Sequence, residues 1–142
     1  MYNTKSLTLE FYDTYNEEKV SNIKFPKFAD IYLILFQVVD YTLKEVQNYL
    51  DLIDPEKPRI LVGTKIDLRD NNFSAFSQIF SQSISTEDAQ NFAKENNLPY
   101  MECSSLTSQG LNEIIEHCIE SKMKINKSTK QKKLKSKSCC IL

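Results

Sequence analysis

Short apolar segments alternate along the chain with amphipathic ones, in an order that predicts strands joined by helices. Residues 30–39 form a nearly continuous apolar run, which is typical of a strand buried on both faces of a parallel sheet. Residues 60–62 and 99–104 are shorter strand-like runs, and residues 7–12 alternate as a half-buried strand would. This order predicts an α/β fold with a doubly wound, mostly parallel sheet and helices on both faces.

Four further segments have apolar residues at helical spacing. A capping box at Thr42 and Glu45 predicts the start of the first helix, Ser85 the start of the second, and the last helix follows Gly110. A serine- and asparagine-rich stretch, 71–84, carries three phenylalanines at helical spacing and predicts a short helix. The predicted inner stripes are Val46, Tyr49, Leu50 and Ile53; Phe73, Phe76 and Phe80; Ala89, Phe92 and Ala93; and Leu111, Ile114, Ile115, Cys118 and Ile119.

Polar residues follow two of the predicted strands directly. Thr64, Lys65 and Asp67 come after the run 60–62, and small polar residues follow the run 99–104. Ligands of parallel α/β sheets bind outside the carboxyl ends of the strands. A carboxylate at this position can accept two hydrogen bonds from guanine, while a lysine stem covers the flat base. The alternative interpretation is a solvated, charged turn.

Together these two stretches resemble the guanine-binding motifs of the Ras superfamily. Thr-Lys-x-Asp-Leu-Arg and Glu-Cys-Ser-x-Leu-Thr are similar to the Rho/Rac branch in particular, and the chain ends in Cys-x-x-Leu. The resemblance implies GTP or GDP as the ligand, Mg²⁺ as its metal ion, and effectors, exchange factors or GDP-dissociation inhibitors as partners. An inserted helix at 71–84 fits the same branch. The implied guanine-binding residues are Thr64, Lys65, Asp67, Leu68, Ser104, Ser105 and Leu106.

The chain departs from the family pattern in its first part. Asp13 occupies the position of the aspartate that is associated with Mg²⁺ in the family. The next two motif positions differ, because Asn16 replaces the family's Gly and Glu17 replaces its catalytic Gln. Gly63 and Gly110 are the only glycines, so no Gly-x-x-x-x-Gly-Lys phosphate loop can be read in the sequence. We therefore expect an N-terminally incomplete G domain, with no catalytic residue and with little or no hydrolysis. In the family the first strand lies in the middle of the sheet, so its neighbours would be left unpaired or would pair anew.

The charge distribution divides the chain into an acidic domain and a basic tail. The net charge is −1, but all eight charged residues from 121 onward are lysines, so residues 1–120 carry −9. We expect a partial G domain at 1–125 and a disordered tail at 126–142. The final Cys-Cys-Ile-Leu predicts prenylation at Cys139, and lysines before it predict contact with an anionic membrane. These membrane-surface lysines are Lys130, Lys132, Lys133, Lys135 and Lys137.

These patterns lead to two hypotheses about function. The first is a membrane-anchored GTP/GDP switch on the cytoplasmic face of the plasma membrane or endomembranes, with a cytosolic pool. The alternative is a nucleotide-free pseudo-GTPase that acts as a membrane-tethered interaction protein. Nucleic acid is not an expected partner, because that interpretation would depend on the lysines alone.

Overall fold

The computed structural model describes residues 8–13, 27–39, 43–70, 83–128 and 139–141. Helices and strands alternate through most of these ranges, as the sequence pattern predicts. The elements in chain order are β1 (Phe11–Asp13), β2 (Ile31–Gln37), α1 (Leu43–Leu50), β3 (Arg59–Thr64), α2 (Ile66–Asp70), α3 (Thr86–Glu95), β4 (Tyr100–Glu102), α4 (Leu111–Ser128) and β5 (Cys139–Ile141).

The strands form one parallel sheet in the order β1-β5-β2-β3-β4. Its longest ladder joins β2 to β3, with Tyr32 opposite Arg59 and Gln37 opposite Thr64. β4 continues the sheet on the far side of β3, with Gly63 opposite Glu102. The carboxyl ends of β2, β3 and β4 therefore lie at one edge of the sheet.

A hydrophobic core covers each face of the sheet. On one face, Val46 and Leu50 of α1 and Ala89 and Ala93 of α3 pack with β2 and β3 residues such as Ile34. On the other face, Ile114 and Cys118 of α4 pack against Ile31, Leu33, Ile60 and Val62. The prediction of an α/β parallel sheet with helices on both faces is thus confirmed.

Several predicted elements differ in detail from the observed ones. Within the described residues 8–13, strand structure is limited to Phe11–Asp13, and all three of these residues are exposed. The predicted alternation fails because β1 pairs with a strand of only three residues and lies at the sheet edge. Ile115 of the predicted α4 stripe is 38% exposed, since the helix buries Ile114 and Cys118 instead.

The predicted boundary at residue 125 falls inside α4, which continues to Ser128. The tail prediction was one of disorder for 126–142, and two parts of that range have regular structure: the end of α4 and strand β5. The aromatic helix predicted at 71–84 lies outside the described residues up to position 82. None of the described helices is long and apolar enough to cross a membrane.

β5 takes the place that the family resemblance assigns to a strand from the first part of the chain. Its residues pair with both neighbours, Cys140 lying opposite Tyr12 on one side and Tyr32 on the other. Of the two outcomes expected for the neighbouring strands, unpaired edges or a new pairing, the structure has the new pairing.

Candidate functional site

The site is built where β3 passes into α2. Cys103 N–H donates to Gly63 O at 2.8 Å, and Ile66 N–H donates to Cys103 O at 3.4 Å, so the ends of β3 and β4 stay side by side. Between them, Lys65 has a φ of 59°, in the left-handed region that residues other than glycine seldom adopt. This turn directs the chain from the strand into the short helix α2.

Thr64 and Lys65 are held by the end of β2. The Thr64 hydroxyl donates to Phe36 O at 3.1 Å, and Val38 N–H donates to Thr64 O at 3.1 Å. The Lys65 ammonium donates to Gln37 Oε1 at 2.9 Å, although the side chain is exposed. These contacts fix the lysine stem along the carboxyl edge of the sheet.

Asp67 and Ser104 join the two polar loops directly. The Ser104 hydroxyl, which is fully buried, donates to Asp67 Oδ1. The same hydroxyl oxygen accepts a hydrogen bond from Thr107 N–H at 3.2 Å. One serine therefore positions the aspartate carboxylate and the turn after β4 together.

Glu102, at the end of β4, accepts four hydrogen bonds. Arg69 donates to it through Nη1 and Nη2, each at 2.8 Å, and this bidentate arrangement fixes the orientation of the two groups as well as their distance. Thr86 donates to Glu102 Oε1 at 3.0 Å and Tyr100 at 2.6 Å. The carboxylate thus ties α2, α3 and β4 into one unit beneath the loops.

Arg69 is the main reason why the pKa of Glu102 lies below its usual value, and burial acts against it. Burial raises the pKa of Tyr100, and the neighbouring Glu102 carboxylate raises it further. Burial also raises the pKa of the Cys103 thiol. At neutral pH the cluster therefore consists of an ionised glutamate, a cationic arginine and neutral hydroxyl and thiol groups.

Both glycines stand where the backbone approaches these residues. A Cβ on Gly63 would lie 2.6 Å from the Tyr100 hydroxyl oxygen. Gly110 has a φ of +75°, and a Cβ there would lie 2.0 Å from Glu102 O. Each glycine is explained by packing around the ends of β3 and β4.

Comparison with known families bears on the identity of this fold and its two loops. The family model described as the Ras family matches residues 1–124, which is most of the chain. The chain belongs to the Ras family. It is therefore a small GTPase-like protein of a nucleotide-binding family, as the resemblance of its two loops implied.

The predicted guanine-binding residues of this Ras-family chain come together at the carboxyl edge of the sheet. Thr64, Asp67 and Leu68 are partly buried and Ser104 is fully buried, whereas Lys65, Ser105 and Leu106 are exposed. Leu106 has 79% of its surface exposed. The buried residues support the loops, and the exposed ones leave a surface that a flat ligand can contact.

The donors and acceptors of these loops fit a guanine base. Asp67 offers a carboxylate, the backbone after Ser104 offers N–H groups, and the Lys65 stem offers an apolar surface with a fixed cation. Guanine presents two adjacent donors and a carbonyl acceptor, which is the complementary set. Adenine lacks that pair of donors, so it is not complementary to a carboxylate in this way.

Asp13, the residue that the family resemblance associates with Mg²⁺, lies apart from the two polar loops. Asp13 ends β1 opposite Ile141, and Ile141 lies opposite Leu33 rather than opposite the last residue of β2, Gln37. Asp13 is therefore four residues, or about 13 Å, short of the edge that carries the loops. Nowhere in the described ranges do three His, Cys, Asp or Glu side chains meet as a set of metal ligands.

Several other predicted site residues lie outside the described side chains. Glu17 and Asn16 fall in an undescribed segment, as do Lys130, Lys132, Lys133, Lys135 and Lys137. For Cys139 the structure describes the backbone, which begins β5.

The sequence prediction missed the residues that support the loops. Arg69 and Glu102 were noticed as parts of motifs, but Tyr100, Thr86 and Gln37 had no predicted function. A signal was present: an arginine after the aspartate of one loop and a glutamate before the serine of the next are opposite charges at the ends of neighbouring parallel strands. Tyr100 and Thr86 carry no such signal, because only the fold brings them to Glu102.

Proposed function

We propose that this chain is a Rho/Rac-like small GTPase homologue that recognises GTP and GDP through the loops after β3 and β4. The observation that carries the proposal is the hydrogen bond from the buried Ser104 hydroxyl to Asp67. This hydrogen bond holds the Asp67 carboxylate in one orientation before any nucleotide binds, and such preorganisation lowers the cost of binding a base. A solvated charged turn would need no buried partner of this kind.

In this proposal Asp67 accepts hydrogen bonds from the guanine ring N–H and exocyclic amine. The backbone N–H near Ser105 donates to the guanine carbonyl oxygen, and Lys65, held by Gln37, lies over the base. Thr64 and Leu68 support the turn, and Leu106 borders the base. The loss of one charged, bidentate contact is expected to cost about 1.5–3 kcal/mol of binding free energy.

Hydrolysis is expected to be weak or absent in this chain. Gly63 packs against Tyr100 and Gly110 against Glu102, so neither is free to wrap phosphate groups. Glu17, at the family's glutamine position, would add negative charge beside a phosphate that is already anionic. We therefore expect binding of the base without efficient chemistry at the γ-phosphate, and no residue is assigned a catalytic role.

Calorimetry with the full chain tests base recognition. Asp67→Asn should weaken GDP binding about tenfold or more and improve relative affinity for xanthosine diphosphate, whose edge is complementary to an amide. Asp51→Asn is the matched control, because Asp51 is exposed just after α1 and its carboxylate accepts a hydrogen bond from Gln47 of that helix. Equal affinity of the parent chain for GDP and xanthosine diphosphate would contradict the proposal.

The alternative function is that of a nucleotide-free pseudo-GTPase that binds proteins at a membrane. It is favoured by the two structural glycines and by the absence of a phosphate-loop motif from the given sequence. No heat of binding with GDP, GTP or the xanthine nucleotide would support it. An in-frame Gly-x-x-x-x-Gly-Lys-Ser/Thr sequence upstream of Met1 in genomic DNA would favour the nucleotide switch instead.

Membrane attachment is a further part of the proposal. Prenylation requires a cysteine four residues from the chain end, so it requires that Leu142 is the last residue. Cys139 would carry a geranylgeranyl group, and the lysines from 130 to 137 would add attraction to anionic lipids. Effectors, exchange factors and GDP-dissociation inhibitors would then meet the protein on the cytoplasmic face of the plasma membrane or endomembranes, and in a cytosolic pool.

A fluorescent fusion of the full chain tests this attachment. The parent should fractionate with membranes and Cys139→Ser with the cytosol, whereas Ser136→Ala should behave as the parent. A cytosolic parent, or a Cys139→Ser protein that still sediments with membranes, would contradict lipid anchoring.

A further inference from the structure

The C-terminal strand β5 lies inside the sheet, with a paired strand on each side. Cys139, Cys140 and Ile141 are opposite Phe11, Tyr12 and Asp13 of β1. The same three residues are opposite Ile31, Tyr32 and Leu33 of β2. The segment that is expected to carry the lipid is therefore also a structural strand.

Backbone hydrogen bonds of β2 indicate what β5 contributes. Tyr32 N–H donates to Pro58 O at 2.9 Å, on the β3 side. Because successive residues of a strand direct their N–H groups to opposite sides, the N–H groups of Ile31 and Leu33 face β5. Ile31 and Leu33 are only 3% and 4% exposed with β5 in place, so loss of β5 would take the partners from their backbone N–H groups and uncover this edge of β2.

β1 depends on β5 even more than β2 does. Its only strand partner among the described residues is β5. Without that strand, β1 and β2 would be separated by two strand spacings, about 9.6 Å, which no backbone hydrogen bond can span. The ring contact between Tyr12 and Phe28, with centroids 5.1 Å apart, would then be a remaining link between β1 and the start of β2.

The path from α4 to β5 is compatible with this placement. Lys122 of α4 forms an ion pair with Asp30, the residue before β2, and both side chains are largely buried. α4 is thereby fixed beside the start of the strand with which β5 pairs. The connection 129–138 has ten residues, which can span up to about 35 Å.

We propose that residues 139–141 have two mutually exclusive positions, strand β5 in the unlipidated protein and a released segment that is lipidated at Cys139. A backbone bonded on both sides in the sheet cannot at the same time lie in the active site of a transferase. Release of β5 would therefore control lipidation, and it would expose the β1 and β2 edges in the same step. The second position depends on the lipid attachment proposed above, whereas the first does not.

The chemistry of lipidation would make the release permanent. The Cys139 sulfur forms a thioether with the first carbon of geranylgeranyl diphosphate, the carbon–oxygen bond breaks, diphosphate leaves, and the thiol proton passes to solvent. Subsequent hydrolysis of the peptide bond after Cys139, consuming one water, removes residues 140–142. Two of the three β5 residues are then absent, so the strand cannot form again.

Amide hydrogen exchange in the unlipidated full chain tests the first position. Cys140→Pro removes a backbone donor from β5, and Cys140→Val is the matched control because it keeps that donor. The Leu33 amide should exchange about tenfold faster in the proline variant than in the valine variant. The Tyr32 amide, bonded to Pro58 on the other side, is the internal reference and should change less. Equal exchange at Leu33 in the two variants would overturn the placement of β5.

Lipidation kinetics test the second position without changing the C-terminal box. Tyr12→Pro weakens the β1 side of the pairing, and Tyr12→Val loses the same ring but keeps its backbone donor. With purified transferase and geranylgeranyl diphosphate, Tyr12→Pro should be lipidated about tenfold faster than Tyr12→Val. Equal rates would contradict control by β5. No lipidation of either variant would overturn the proposed anchor, while the exchange experiment would still decide whether β5 pairs in the sheet.

Discussion

The two sides of the sheet are stabilised in different ways. The loops after β3 and β4, residues 64–70 and 102–107, are joined by side-chain hydrogen bonds that converge on Glu102 and Ser104. The C-terminal side, formed by β1, β5 and the first half of β2, is joined by backbone pairing of three-residue strands. Side-chain hydrogen bonds require particular residue types and can therefore be recognised as a motif in the sequence, whereas backbone pairing cannot.

The largest effect is expected from removal of the Glu102 carboxylate. Glu102→Ala removes the carboxylate that Arg69 and two hydroxyls share, in a site where both charged side chains are under 20% exposed. We expect the free energy of unfolding to fall by about 3 kcal/mol, measured by urea denaturation. Glu95→Ala, at an exposed position on α3, should change it by less than about 0.5 kcal/mol. Similar losses in the two variants would mean that Glu102 does not join the loops.

Ser104→Ala should have an intermediate effect. It removes the hydroxyl that donates to Asp67 and accepts from Thr107, in a fully buried position. We expect a loss of about 1–2 kcal/mol of stability, again from urea denaturation. Ser105→Ala is the matched control, since Ser105 is exposed and keeps its backbone N–H. A fully stable Ser104→Ala protein would remove the proposed support for Asp67.

On the C-terminal side, a smaller effect is expected from the ion pair that holds α4 beside β2. Lys122→Met should lower the free energy of unfolding by about 1 kcal/mol, because it removes the cation that forms an ion pair with the partly buried Asp30. Lys124→Met is the control, because the Lys124–Glu120 pair is 3.7 Å apart and well exposed. Equal effects of the two changes would mean that Lys122 contributes no more than a surface charge.

The smallest effect concerns pH. The folded-state pKa of Glu102 is lowered, chiefly by Arg69, from an ordinary value of 4.5. Its contribution to stability is therefore complete above pH 4.5 and is lost as the pH falls through the lower folded-state value. The stability difference between the parent and Glu102→Gln should be constant near neutral pH and should narrow below 4.5. Urea titrations at a series of pH values measure this difference in the free energy of unfolding. A difference that grows on acidification would contradict the claim that Glu102 stabilises the fold as an ionised carboxylate.

Most of the region around the loops after β3 and β4 could be predicted from the sequence. The apolar run before Thr64 predicted β3, and Ser85 predicted the start of α3, where its side chain accepts a hydrogen bond from Asp88 N–H at 3.0 Å. These signals are local, because strand propensity and capping depend on neighbours in the sequence. Arg69 and Glu102 were only partly recognised, since the distance between them depends on strand order.

The C-terminal side could not be predicted in the same way. The tail lysines and the Cys-x-x-Leu box indicated disorder and lipid attachment, and they gave no sign that Cys139–Ile141 pairs with two strands. Pairing of a three-residue strand depends on the open position between β1 and β2, which is a property of the whole sheet. Ile115 shows the same limit on α4, because its spacing fits the inner stripe but the helix turns it outward.

The most direct measurement of the central claim is a nuclear magnetic resonance titration of the full chain with GDP, and separately with ADP. We expect GDP to shift the amide signals of residues 64–68 and 104–106 and to leave those of 11–13 nearly unchanged, because the base contacts only the loops after β3 and β4. ADP should shift neither set, since adenine lacks the paired donors that Asp67 accepts. Equal shifts with the two nucleotides, or GDP shifts confined to residues outside these loops, would contradict guanine recognition at this site.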